Sequence, residues 1–253
     1  MWLSFTVAVR LLTNFSLFTP DNPSRADIRR SIILFPLIGA LLGVLYGAVW
    51  VIANRIWSTE RLVPAALTFA FSALLTGGRG VGGIGRLGDA IAGIYSSGDR
   101  VRAEAAIGDQ HRGTVGVVAT VAFAGIKLAF LSALPEASAW QCLIVAAMAG
   151  QWATGFCFSA FRLTSSWNNE DESSRGFTDA GLNEFFGSTI LAIAFAAIMP
   201  VTGLVALMAA AFVVGPAAQS LSKALNGLNH HVSFALGELG EIVALAVFSA
   251  HFA

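Results

Sequence analysis

Between Thr76 and Gly93 the chain reads TGGRGVGGIGRLGDAIAG, and Asp99, Glu104, Asp109, His111, Arg112 and Gly113 follow soon after. Carboxylates are the usual hard-oxygen ligands of Mg2+, and guanidinium forks match phosphate oxygens. Glycines let backbone N–H groups approach an anion. These residue types together point to phosphate chemistry assisted by magnesium, in a Gly-rich polar loop around Asp89 and Asp109. The spacing is neither a P-loop, since no Gly-Lys-Ser/Thr follows, nor a dinucleotide fingerprint in a strand-turn-helix setting. A flexible, solvated loop would have the same composition. What favours a site is that the acids flank the ends of apolar stretches, where they would face a shared pocket. Lys127 falls inside such a stretch, where an unpaired ammonium costs about 3 kcal/mol by insertion scales, so it should have an acidic or phosphate partner. Glu238 and Glu241 stand three apart, on one helical face. His230-His231 read as an exposed turn before that helix, and Glu170, Asp171 and Glu172 as a solvated turn.

The elements that must position these residues are membrane helices. Of the 253 residues 56% are hydrophobic and 12% charged, too little polar surface for a soluble domain of this size. The formal net charge is zero, which removes the basic excess that nucleic-acid binding draws on, so no nucleic acid partner is expected. Cys142 and Cys157 lie in apolar runs and read as small buried hydrophobes. Met1 to Phe18 lacks a basic start and a cleavage site and reads as an uncleaved, membrane-associated helix. Seven stretches approach the length of a bilayer crossing: Ser31 to Ala53, Leu62 to Thr76, Thr114 to Leu134, Trp140 to Phe161, Phe185 to Met199, Val201 to Val214 and Leu239 to Phe252. The fifth and sixth are short enough to form a hairpin turning at Pro200. The expected fold class is all-α, a polytopic transmembrane helical bundle of about six to seven spans. Residues 1–253 form a single integral membrane domain, with polar loops at about 77–113 and 162–184. Basic residues gather beside one set of span ends, at Arg10, Arg25, Arg29, Arg30, Arg79, Arg86, Arg100, Arg102, Arg112, Arg162, Arg175 and Lys223, against Arg55 and Arg61 on the other. That asymmetry puts both polar loops in the cytoplasm. Gly39, Gly43 and Gly47 line one face of the first span and suit close helix packing.

The order and spacing of these residues resemble the cobalamin phosphate synthase family, also called adenosylcobinamide-GDP ribazoletransferase. FPLIGALLG at Phe35 to Gly43 is similar to the family's first-span signature, and Leu11 to Thr13 to its N-terminal segment. LGDAIAGIYS at Leu87 to Ser96 matches the register of an acidic stretch, with Asp89 on its middle aspartate. Asp109, Gly113, Thr114 and Gly116 fit an Asp-x-x-x-Gly-x-x-Gly turn, and Lys127, Gly227, Glu238, Leu239 and Glu241 also match. Gly85 and Ala92 stand where the family has further aspartates, and Arg79 to Val81 behave as an insertion. Asn229, His230 and His231 replace a Thr-Gly-Asp, and Gln151 stands where arginine is more frequent.

The resemblance implies an enzyme of the bacterial inner (plasma) membrane, its active face cytoplasmic. A ribose hydroxyl of α-ribazole, or of its phosphate, would attack the cobinamide-linked phosphorus of adenosylcobinamide-GDP and release GMP. It implies Mg2+ as cofactor, with Asp89 and Asp109 as catalytic residues and metal ligands, and Glu238 and Glu241 next in line. Gly77, Gly78, Gly113, Lys127, Glu238 and Glu241 would bind substrate. The remaining partners expected are membrane lipid and, as an open alternative, a second copy of the chain in a homo-oligomer. Two other readings stay open: an inactive paralogue serving as an assembly partner, and a transporter using Lys127 along a path through the bilayer. The observation that would decide most is whether Asp89, Asp109, Glu238 and Glu241 converge.

Overall fold

In the computed structural model, residues 2–15, 23–97, 100–109, 111–162, 177 and 180–250 are described, and their regular structure is helical throughout. Helix α1 spans Trp2–Leu12 and α2 spans Arg25–Ser31, capped by the Ser24 hydroxyl, which accepts the Asp27 N–H. A 3-10 turn at Ile32–Leu34 leads into α3, Phe35–Ile56. Then come α4 (Leu62–Thr76), α5 (Arg79–Ser97), α6 (Arg100–Gly108), α7 (Thr114–Ser132) and α8 (Ala139–Ala160). The chain closes with α9 (Leu182–Ala196), α10 (Thr202–Ala224) and α11 (His230–Ala250).

Helix α8 is apolar all round and occupies the centre, as such a helix must. It packs against α3, α11, α9 and α10. Its contact with α3 is close because Gly39, Gly43 and Gly47 bring backbone to backbone: a Cβ at Gly39 would lie 2.7 Å from the Ala147 carbonyl oxygen, and one at Gly43 would collide with Ile144. Among the described residues five helices are long and apolar enough to cross a membrane, or six if α4 and α5, bent by 87° at Gly77-Gly78, count as one broken span. This is a membrane protein. Helix α9 is apolar but has only 15 residues, and it turns into α10 around Pro200. The sixth stretch runs further than its apolar core, to Ala224. Pro216 is tolerated within it, as in membrane helices generally.

The segment expected as a polar loop at 77–113 is instead mostly helical. Among its described residues only Gly77 and Gly78 have positive φ, at 64° and 62°, and they end α4 in a left-handed cap. The later glycines are packing surfaces. A Cβ at Gly80 would collide with Glu238, and one at Gly83 with the His231 carbonyl on α11; at Gly85 and Gly88 it would crowd Thr120 and Ala119 of α7. Helix α5 is therefore wedged between α7 and α11 by two glycine faces, and that close contact offsets the roughly 0.5–1 kcal/mol that each interior glycine costs a helix. The histidine pair is likewise not an exposed turn. It starts α11, half-buried, with ring centroids 3.8 Å apart. Asp99 and the acidic run Glu170, Asp171 and Glu172 lie outside the described residues, as does most of the loop expected at 162–184.

Candidate active site

Lys127 lies about 20 Å along α7 from its start, and long helical side chains lean back toward the N-terminus. Its ammonium is thereby aimed at the end of the bundle where α5 crosses. Only 2% exposed, it lies 2.7 Å from Glu238 Oε2 and 3.0 Å from Glu241 Oε1. The Phe69 ring of α4 sits 5.8 Å from it. Glu238 and Glu241 both face the lysine because they stand one turn apart on α11. Gly80 admits Glu238 against α5, and Gly150 admits Glu241 against α8, where a Cβ would lie 3.0 Å from that of Glu241. One ammonium faces two carboxylates, so the group carries one negative charge in excess when both are ionised. Lys127 thus has the acidic partners that its depth demanded.

Above this triad, Arg79, Gln151 and Thr154 border a cleft that reaches Glu238 and Glu241. Its interior space is about 20 Å³, enough for about one water. Gln151 Oε1 is buried there without a hydrogen-bond partner, the kind of atom that a water or a ligand satisfies. A corrinoid nucleotide cannot enter, so any large substrate must meet the protein at the rim. A larger groove of about 370 Å³ lies between α3 and α4, but its lining, including the exposed Ile52, Ile56 and Leu74, holds no reactive group.

Asp89 and Asp109 have partners of their own. Asp89 on α5 accepts the Gly113 N–H at Oδ2 (2.8 Å) and the Gly116 N–H at Oδ1 (2.7 Å). It caps α7 from a neighbouring helix, satisfying donors that a helix start leaves open. Side chains at Gly113 or Gly116 would collide with it. Asp109 follows α6, and its exposed carboxylate accepts the His111 N–H at 2.8 Å and pairs with His111 Nδ1 at 3.2 Å. The backbone bond, then the ring, holds its pKa below the usual carboxylate range. The glycine amides are also engaged: Gly77 donates to Leu74 O, Gly78 to Ala73 O and Gly113 to Asp89.

These commitments bear on magnesium. Asp89, Asp109, Glu238 and Glu241 each face a donor of the chain itself, and no group of three or more His, Cys, Asp or Glu among the described residues is placed to hold a metal ion. Among the described residues, the carboxylates do not form a ready-made Mg2+ site. Sequence reasoning noted the arginines of this segment but missed that some of them share a helical face. Arg79, Gly82 and Arg86 share one face of α5 by their spacing. Arg112 lies beside that face, its Nη2 3.9 Å from where a Gly82 Cβ would stand and its Nε 3.3 Å from where a Gly85 Cβ would. The i, i+3, i+7 pattern was readable; only the assumption of a loop concealed it.

The sequence profile of a family described as "Cobalamin-5-phosphate synthase" matches residues 4–249. The chain belongs to that family. Among cobalamin-5-phosphate synthase relatives, the adenosylcobinamide-GDP ribazoletransferase of Pseudomonas fluorescens (strain Pf0-1) is 29% identical over 97% of this chain and 100% of its own length. The protein of the same name from Pseudomonas fluorescens (strain SBW25) is 30% identical over 59% of this chain. That match, like the one to strain Pf-5, spans about 60% of the relative's length. The Thermoanaerobacter pseudethanolicus ribazoletransferase is 23% identical over 96% of the chain and 95% of its own length. No solved structure matches.

Proposed function

We propose that this chain joins adenosylcobinamide-GDP to α-ribazole or its phosphate and releases GMP, at the cytoplasmic face of a bacterial inner membrane. The family supports the reaction, and one structural observation supports the place: the buried Lys127 and Glu241 and the half-buried Glu238 meet beneath a cleft in an otherwise apolar bundle. Ionisable groups inside a membrane bundle face one another or a polar path, and mark function by default. In the reaction a ribose hydroxyl oxygen bonds to the cobinamide-linked phosphorus, the P–O bond to the bridging oxygen breaks, GMP takes that oxygen, and the hydroxyl proton is released. Such a displacement requires alignment and charge neutralisation more than covalent help. Arg79 at the cleft mouth supplies positive charge, the triad fixes how α7 meets α11 under it, and apolar helices exclude water beneath.

The test is GMP release by purified, detergent-solubilised protein given adenosylcobinamide-GDP and α-ribazole phosphate, beside Glu238→Gln. Release by the parent and a fall of about tenfold or more in the variant are expected from the loss of a charged buried partner. Background release by the parent, while the Pf0-1 relative turns over in parallel, overturns the reading and leaves a protein that keeps the fold without the reaction.

A further inference from the structure

The polar side chains buried in the bundle below the triad fall into two stripes. On α3, Tyr46, Trp50 and Asn54 stand four apart and share one buried face. On the neighbouring α4, Thr68, Ser72 and Thr76 stand four apart as well; the first two are buried and Thr76 borders the cleft. The short turn 57–61 joins the two helices at the end away from the cleft, so depth from that end follows from the helical rise. Asn54 lies about 3 Å in, Trp50 and Thr68 about 9 Å, Tyr46 and Ser72 about 15 Å, and Thr76 about 21 Å. At the inner end Tyr46 is within electrostatic reach of Glu241 and Glu238, and the Phe69 ring of α4 lies by the Lys127 ammonium. At the outer end Asn54 Nδ2 donates to Glu136 Oε1 at 2.8 Å, and Glu136 is exposed in the turn between α7 and α8.

The middle layer shows what the stripes could do. Trp50 Nε1 and Thr68 Oγ1, at one depth, are both buried and, among the described residues, neither has a hydrogen-bond partner. Two such atoms are costly in a membrane bundle, and waters that accept the indole N–H and pair with the hydroxyl satisfy them. Further in, the Ser72 and Thr76 hydroxyls donate to carbonyls of their own helix, at 2.8 Å to Phe69 O and 2.9 Å to Ser72 O. Their oxygens therefore still have lone pairs to offer a water. We infer that a file of single waters follows α3 and α4 from Glu136 to the Lys127–Glu238–Glu241 triad and carries protons between them. The bundle still excludes bulk water. Thr68 both accepts and donates, so it can pass a proton on, whereas Trp50 only donates and anchors a water. The triad is the inner terminus, since two carboxylates share one ammonium: a proton arriving on hydronium protonates one carboxylate, leaves water behind, and Lys127 stays with the other. The further charged group bordering the cleft is Arg79 of α5, whose Nη1 is turned to the Leu11 carbonyl. Ionisable groups at this depth commonly belong to proton relays. The proton path does not depend on the transferase reading.

The test uses purified full-length protein in vesicles that hold a pH-sensitive dye, with a potassium diffusion potential driving protons inward. Proton entry faster than in protein-free vesicles is expected, with choline entry no faster. Thr68→Val and Asn54→Leu, which each remove polar atoms from the file, should slow it about fivefold, near the factor that one lost hydrogen bond represents; Thr68→Ser, keeping the hydroxyl, should conduct like the parent. Melting gives a second readout. Were the Thr68 hydroxyl dry, Thr68→Val would delete an unsatisfied group and raise the melting temperature by about 2 °C or more; with water serving it, no rise is expected. Proton entry at the protein-free rate, or choline entry as fast as proton entry, overturns the inference on unaltered protein, however the variants fold. So does a Thr68→Val protein that conducts like the parent or melts higher. GMP release from the same preparation bears on the transferase alone, so either reading can fail without the other.

Discussion

Replacing Lys127 by methionine keeps most of the side-chain volume and removes the one cation between Glu238 and Glu241. At an effective dielectric of about 20, the contacts at 2.7 and 3.0 Å correspond to gross attractions of about 6 and about 5.5 kcal/mol. Most of that is offset by holding three charges out of water. The cost of deleting one partner is therefore set by the carboxylates left behind and should be about 3–5 kcal/mol. At about 2–4 °C per kcal/mol for a chain of this size, the apparent melting temperature falls by roughly 6–20 °C. Cys142 and Cys157 are both free and buried, so a thiol-reactive dye reports unfolding of detergent-solubilised protein without any added label. The decisive arm is Lys127→Met/Glu238→Gln/Glu241→Gln, which removes all three charges and should recover most of the loss, because a neutral buried cluster leaves no uncompensated charge. Should Lys127→Met shift the melt by less than about 2 °C, or the triple variant melt as low as the single, the triad is not a coupled buried unit.

Further outcomes follow from other contacts. Gly43→Ala should destabilise by about 1–3 kcal/mol, since its Cβ meets the Ile144 backbone; Gly125→Ala, with nothing within 4 Å, should melt within about 2 °C of the parent. Asp89→Asn leaves a single oxygen for two N–H donors and should cost about 1–2 kcal/mol, visible as faster amide exchange over 113–117; unchanged exchange there would remove its role as cap. Tyr95 is 87% exposed at the far end of α5, so a cysteine in its place, in a background lacking Cys142 and Cys157, should react with an impermeant maleimide from the cytoplasmic side alone, and periplasmic labelling would invert the proposed orientation. Asp109, with its carboxyl held below the ordinary range chiefly by the His111 N–H, steadies its turn above the unfolded carboxyl value of about 4 and loses that effect as pH falls through its own lower value. The ratio of exchange over 105–113 between Asp109→Asn and parent should be the same at pH 6 and 8 and approach one near the acid limit; a ratio that already changes between pH 6 and 8 contradicts the assignment.

The bundle was legible because a bilayer leaves few choices. Backbone groups in lipid must be satisfied within a helix, so apolar length alone delimits α4 at Leu62–Thr76 and places α7 and α8 within a residue or two. Helix starts near the membrane surface were less legible. Helix α11 begins at His230, nine residues before the apolar stretch expected from Leu239, because polar residues at a helix start are held by tertiary contacts that hydropathy does not register. Helix α10 likewise continues past Val214 through Pro216.

The glycine-rich segment shows why the site was harder to read than the fold. Glycine has two uses, allowing positive φ and allowing close approach, and sequence does not say which applies. Gly77 and Gly78 use the first; Gly80, Gly83, Gly85 and Gly88 use the second. Reading all of them as turn residues turned a helix into a loop, whereas the close approach they permit draws the α7 amides onto the Asp89 carboxylate. The same error concealed the arginine face, since Arg79 and Arg86 share a face only if the chain between them is helical. Glu238 and Glu241 escaped it. Their spacing, taken with the need of Lys127 for a partner, held all the information that the ion-pair distances supply except which acid would meet which cation. Pairing across helices is fixed by where glycine lets two backbones touch, and that emerges only once the helices are packed.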